Sequence, residues 1–246
     1  MKSPAAIKAM KDFLLRLPES VREQLTTKTP KEVGCDYLLH ISRNKKIKTF
    51  VPRVSDFLAG KEDRSIPRIC TATTLFGCFV AYQRELRDFM ERSVNPESNF
   101  LGGWAVYGIP FDLALQPTAK LLIDVNESDE HWLVAYSRQV VDYPAEIKAK
   151  VFFGSVTQVG TKNGVEQHVS MYLDVRAPEG LQFDGKVHLP QGYWLLQTQH
   201  NARGRSWRDC RGRPRVQSIT RDEYYGAKKI AADLLSYEET PPSARW

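Results

Sequence analysis

A chain of 246 residues with 42% hydrophobic and 26% charged side chains has the ordinary composition of a folded soluble protein, with room for one large domain or two small ones. A mean hydropathy of −0.42, with no apolar run near the roughly 20 residues a bilayer requires, excludes a membrane-spanning helix. The formal charge of +6 is mild, so the placement of the basic residues matters more than their sum.

Pro4 to Arg16 has apolar groups at Ile7, Met10, Phe13 and Leu14. That spacing predicts an amphipathic helix, with Ser3 as its cap and Pro4 in its first turn. The lysines of this region lie among alanines with no long apolar stretch, which does not match a secretory signal. A short helix is expected over Glu19–Leu25 and a loop over Thr26–Gly34. Tyr37–Ser42 reads as a strand, followed by a basic loop broken by Pro52, Gly60 and Pro67. A second strand opens at Ile69. Leu75, Phe79, Tyr82, Leu86 and Phe89 then mark one face of a helix over 75–90.

Residues 93–119 carry Pro96, Gly102, Gly103, Pro110 and Pro117 among aromatics, the pattern of a packed loop with short strands. Strands are predicted over Ala119–Val125 and His131–Tyr136. Beyond Tyr143 the period changes to two. Ile147–Val159 and Val165–Val175 form a hairpin around Asn163-Gly164, the strongest short-range turn signal. Lys186–Leu189 and Tyr193–Thr198 add strands. A last helix over Arg221–Tyr237 is expected to rest on Tyr225, Ile230, Leu234 and Leu235. The sum is an α+β fold: N-terminal helices, a mixed and mostly antiparallel sheet system, and a C-terminal helix. Residues 1–142 and 143–246 are the expected halves, either as two regions or as one continuous domain.

Cys35, Cys70, Cys78 and Cys210 fit no zinc-ligand spacing. They read as reduced thiols of a cytoplasmic protein, and no metal site is expected. No phosphate-binding glycine loop, dinucleotide fingerprint or metalloprotease helix is present.

Three features bear on chemistry. The first is LLHIS, then IPRICTATTLFGCFVAY, then SDEHWL. This run, residues 37–135, resembles the ADP-ribosyltransferases, in particular the small rifampicin-modifying type. The resemblance implies NAD as cofactor. It implies His40 on the ribose, Thr71 and Thr73 around the nicotinamide, Ser42 as a further cofactor-binding residue, and Glu130 as the carboxylate that stabilises positive charge at the anomeric carbon. The stacking tyrosine of that family falls near Ile69 or Cys70 here. Read from the residues alone, His40 is equally a strand histidine bonded to backbone, Thr71 and Thr73 are ordinary strand threonines, and Glu130 is a solvated turn acid.

The second feature is a pair of H-x-S motifs, His40-Ile41-Ser42 and His168-Val169-Ser170. These resemble the two-histidine phosphoesterases, in which the imidazoles serve as general base and general acid. The third is Arg203, Arg205, Trp207, Arg208, Arg211, Arg213 and Arg215, expected as a flexible cationic loop. Arginine forks grip phosphates and tryptophan stacks on bases. The partner implied is an anionic macromolecule, either nucleic acid or an acidic protein surface. The chain would then be a non-enzymatic assembly or virus-type accessory component, or an enzyme whose loop recruits its acceptor.

Overall fold

A computed structural model describes residues 4–54, 66–81, 104–118, 121, 129–161, 164–201 and 215–238; side chains are described except at 80–81, 152–169, 198–201 and 230–238. The fold is α+β. Among the described residues the helices are α1 (Pro4–Leu15), α2 (Glu19–Arg22), α3 (Pro30–Val33), α4 (Leu75–Ala81) and α5 (Arg221–Glu238). Ten strands form one largely antiparallel sheet, in the order β1 (Leu25–Lys28), β6 (Ala114–Pro117), β7 (Glu130–Leu133), β4 (Ile69–Ala72), β2 (Tyr37–Ser42), β5 (Trp104–Pro110), β9 (Glu146–Thr161), β10 (Gly164–Val175), β13 (Gly192–Asn201) and β14 (Arg215–Ile219). Among the described residues two ribbons accompany it: β3 (Thr49–Phe50) with β8 (Tyr143–Pro144), and β11 (Leu181–Gln182) with β12 (His188–Leu189). Among the described residues no helix is long and apolar enough to cross a membrane.

Residue contacts group the chain into two units. One holds Met1–Ile41, Lys46–Ala81 and Tyr107–Ile147; the other holds Ser42–Lys45, Tyr82–Val106 and Lys148–Trp246.

In the first unit α1 turns the stripe anticipated from its spacing onto the sheet. Met10 is fully buried, and Ala6, Ala9, Phe13 and Leu14 pack beside it against Trp132, Leu115, Ile66 and Val134. Each large side chain so buried contributes about 1.5–3 kcal/mol. Leu25–Lys28 is a strand, where a helix end and a loop were expected. It pairs antiparallel with β6, Leu25 opposite Pro117. The pairing partner lies far along the chain, and such tertiary pairing overrides local propensity.

The next segment also corrects the loop reading. Thr29 and Glu32 form a reciprocal capping box over Pro30–Val33, and Gly34 closes the helix at φ +80°, a left-handed backbone that glycine adopts without strain. The helix expected over 75–90 is described as far as Ala81. Its remainder lies outside the described residues, as does nearly all of the strand expected over Ala119–Val125.

In the second unit the hairpin is longer than its apolar runs. β9 and β10 pair up to Thr161 opposite Gly164. The register shifts between Val169 and Met171, so Gly154 and Ser155 together face Ser170: a β-bulge that flips the alternation of β9. α5 opens on another capping box, with Thr220 N and Oγ1 donating to Glu223 Oε2 at 2.6 and 2.8 Å and Glu223 N donating back to Thr220 Oγ1 at 3.2 Å. Tyr224, not Tyr225, is the buried tyrosine of this helix. It packs with Ala227 on Tyr172, Tyr193 and Ile219, while Tyr225 stays exposed. Residues 224 and 227, three apart, share the sheet-facing side. Ile230, Leu234 and Leu235 lie outside the described side chains.

Candidate functional site

His40, Thr71, Thr73 and Glu130 all fall on the adjoining strands β2, β4 and β7 or at their ends. Register then divides them. Leu39 lies opposite Ala72, so His40 stands level with Thr71. Thr71 lies opposite His131, and Ala72 opposite Glu130. Side chains alternate across a sheet and opposed residues share a face. His40, Thr71 and His131 therefore occupy one face, while Cys70, Ala72, Glu130 and Trp132 occupy the other. This corrects the cradle expected from sequence: Glu130 opens its strand, but on the face away from His40.

Glu130 is also no solvated turn acid. It is 7% exposed and accepts from Trp132 Nε1 at 2.7 Å. Arg68, equally buried, lies 4.1 Å above the Trp132 ring. Burial, and then the Glu130 charge, push the Cys70 thiol well above its usual range; Arg68 opposes this. These groups sit on the face that α1 covers, and they read as a buried polar brace.

The His40 face has a different character. His40 is half-buried, and its Nδ1 lies 2.8 Å from Cys70 O. A carbonyl only accepts, so Nδ1 carries the proton and Nε2 is the basic nitrogen of the neutral ring. Burial holds the imidazole below its ordinary pKa; the Cys70 bond opposes this and Arg53 adds to it. Phe50 meets the ring edge-on at 4.7 Å. Tyr107 braces Phe50 at 5.3 Å, and its hydroxyl accepts from Ile47 N at 3.1 Å.

His131, which sequence reasoning did not single out, repeats the arrangement. Its Nδ1 lies 3.0 Å from Asp129 O, and burial holds it below its ordinary pKa. Thr71 is buried between these strands, with its hydroxyl donating to His131 O at 2.7 Å.

Asp129 is the second missed residue. It precedes β7 and gathers the end of β4. Oδ1 accepts from Thr73 N at 3.1 Å and from Thr73 Oγ1. Oδ2 accepts from Thr74 N at 3.1 Å and Thr74 Oγ1 at 2.8 Å. Thr74 in turn caps α4, accepting from Gly77 N at 3.0 Å. The Thr73 hydroxyl is thus part of a clamp between strand and helix. A Thr-Thr pair at a strand-to-helix joint followed by a later aspartate was the available signal, but the pairing runs across more than fifty residues and no local pattern announces it.

The other expected residues are dispersed or lie outside the description. Ser42 ends β2 and accepts from Asn44 N at 3.2 Å. His168 lies on β10, outside the described side chains, so the two-histidine pairing has no described geometry. Arg203, Arg205, Trp207, Arg208, Arg211 and Arg213 lie outside the described residues. Arg215 corrects the loop reading: it is the exposed first residue of β14 and pairs with Gln197. Among the described residues no group of three His, Cys, Asp or Glu side chains is placed to hold a metal ion.

No family model, curated protein or solved structure matches this chain.

Proposed function

We propose that the chain is a nucleotide-binding protein of ADP-ribosyltransferase-like type. NAD is the ligand of the His40 face, and residues 203–215 recruit an anionic acceptor or partner. One observation carries the reading. His40 and His131 share a face, each with Nδ1 held at a backbone carbonyl, so each keeps a basic Nε2 in a fixed orientation. Such a nitrogen accepts from a ribose hydroxyl. Arg53, whose charge acts on His40, supplies a fork for a diphosphate. The edge-on Phe50 supplies an apolar wall.

The reading is one of binding first. Glu130 takes no part in it, and Asp129, the carboxylate beside this face, holds its four hydrogen bonds to Thr73 and Thr74. Isothermal titration with NAD tests it. Micromolar binding that His40→Ala abolishes and Glu130→Gln leaves unchanged is the expected result. No binding at millimolar NAD, or equal loss in Glu130→Gln, overturns it.

A second reading is favoured by the position of the basic segment. Residues 202–214 join the antiparallel strands β13 and β14, and the exposed Arg215 continues the run onto β14. Under this reading the chain is a non-enzymatic protein held to an anionic macromolecule by its arginines. Arg205→Ala, Arg208→Ala and Arg211→Ala together then abolish capture of the partner and leave NAD titrations unchanged.

A further inference from the structure

We propose that the exposed side of α5 around Tyr225 is a platform for single-stranded nucleic acid. The inference rests on the second reading above and extends it to residues that reading does not use.

Arg221, Tyr225 and Lys228 follow one another at i, i+4 and i+7, so they form a single stripe along the helix. Tyr225 is 38% exposed, against 4% for its neighbour Tyr224. Arg221 Cζ lies 5.5 Å from the centre of the Tyr225 ring, and Lys228 Nζ lies 5.8 Å from it. The ring is braced from below, with Tyr224 edge-on at 5.3 Å and Tyr193 of β13 at 6.1 Å. It is a supported aromatic surface between two cations.

Further positive charge gathers beside it. The Lys45 ammonium is held below its ordinary pKa, first by burial and then by the charges of Lys228 and Lys150, so three lysines share one field. The acids nearby are largely engaged. Asp174 pairs with Arg176 at 2.6 Å, and Glu223 caps the helix through Thr220. Asp222 is the remaining acid of the first turn.

Flanking cations with an exposed aromatic ring is the arrangement that reads a strand of bases. A base takes over one ring face, and the displaced cation turns to the adjoining phosphate. A duplex hides its base faces and offers such a patch only phosphates. An acidic protein surface has no regular series of flat rings to stack. Continuity supports the same ligand. Tyr193 pairs with Ile219 of β14, so the stripe adjoins the strand that leads out of the arginine-rich segment.

The test is fluorescence anisotropy of the whole chain with a labelled 20-nucleotide oligothymidylate and with a 20-base-pair duplex. The single strand binds at least ten-fold more tightly than the duplex at equal salt. Tyr225→Ala weakens single-strand binding by about ten-fold, as loss of one stacked base does, while Tyr225→Phe retains it. Arg221→Ala with Lys228→Ala lowers the slope of log affinity against log salt by about 1.4, at about 0.7 per phosphate contact on a single strand. Circular dichroism checks the fold of each variant.

Equal or tighter duplex binding overturns the proposal, and so does wild-type affinity in Tyr225→Ala. If the triple arginine variant loses the oligonucleotide while Tyr225→Ala keeps it, the platform falls and the arginine reading stands. If the wild-type chain binds neither oligonucleotide at low salt, the platform and the nucleic-acid form of that reading fall together.

Discussion

Asp129→Asn tests the clamp at the end of β4. The substitution keeps the side-chain shape but turns one carboxylate oxygen into an amide. With the amide at the Oδ2 position, Oδ1 still accepts from Thr73, while Oδ2 no longer accepts from Thr74 N and Oγ1, bonded at 3.1 and 2.8 Å in the wild-type chain. The Thr74 hydroxyl can turn and accept from the new amide, but the Thr74 N–H then faces another donor. An N–H left unpaired costs about 1–3 kcal/mol, and bonds to charged groups contribute about 1.5–3 kcal/mol. The site is half-buried, so the lower halves of these ranges apply, and the expected loss is about 2–3 kcal/mol. Flipping the amide exchanges the Thr74 defect for the same one at Thr73, so it offers no escape. Asp129→Ala removes all four bonds and costs more, about 4 kcal/mol, once the capping contribution through Thr74 is included. Urea unfolding at pH 7.5 measures both variants through the midpoint at unchanged slope. A midpoint for Asp129→Asn within error of wild type, or equal to that of Asp129→Ala, refutes the reasoning.

Gly77→Ala places a methyl against the Asp129 carboxylate and 2.9 Å from Ala72 Cβ. The overlap costs about 1–3 kcal/mol, exceeding the roughly 1 kcal/mol of helix propensity gained, so the melting temperature falls; a rise contradicts the packing. His40 and His131 both titrate below 6.5 in the folded chain, so the unfolded chain takes up protons first. Stability is therefore full above that value and declines as pH falls through it. Replacing both with Gln flattens the urea midpoint between pH 7.5 and 5, whereas an unchanged slope rules the histidines out as its source. Burial keeps the Cys70 and Cys78 thiols protonated, and only the thiolate reacts. A Cys35→Ser, Cys210→Ser variant at pH 8 then releases no prompt colour with Ellman's reagent until urea is added. Prompt reaction of the folded chain contradicts the burial.

Much of the fold was legible where one period ran uninterrupted. α1 announced itself through Met10, Phe13 and Leu14, β2 through its apolar run, and the β9–β10 hairpin through Asn163-Gly164. What failed was decided at a distance. Leu25–Lys28 is too short for its two threonines to announce a strand, and it becomes β1 through pairing with Ala114–Pro117. Tyr225 and Tyr224 are equivalent to composition, and only docking onto Tyr172 and Tyr193 selects Tyr224. The capping box Thr29-Pro-Lys-Glu32 is a local signal that the sequence alone carries. For the site, the types His, Thr and acid were visible on the right strands. Their faces were not, because a face depends on register: Thr71 opposite His131 sends the adjacent Glu130 to the far side. A pairing shifted by one residue would have reversed that.

The pairings of the two units differ sharply in how far along the chain they reach, and this has a kinetic consequence. β9 and β10 pair between positions only three apart in the chain, Thr161 and Gly164, and hairpins close in about 1–10 μs. β1 must find β6 across roughly ninety residues, a search whose entropy grows with the logarithm of the loop. On a ribosome β1 is made early and waits for its partner, so an N-terminal fragment ending before Ala114 leaves its edge unsatisfied. Pulse-labelled hydrogen exchange during refolding should therefore protect the amides of Met171–Val175 before those of Leu25–Lys28. The reverse order would mean that the distant pairing, not the hairpin, starts the fold.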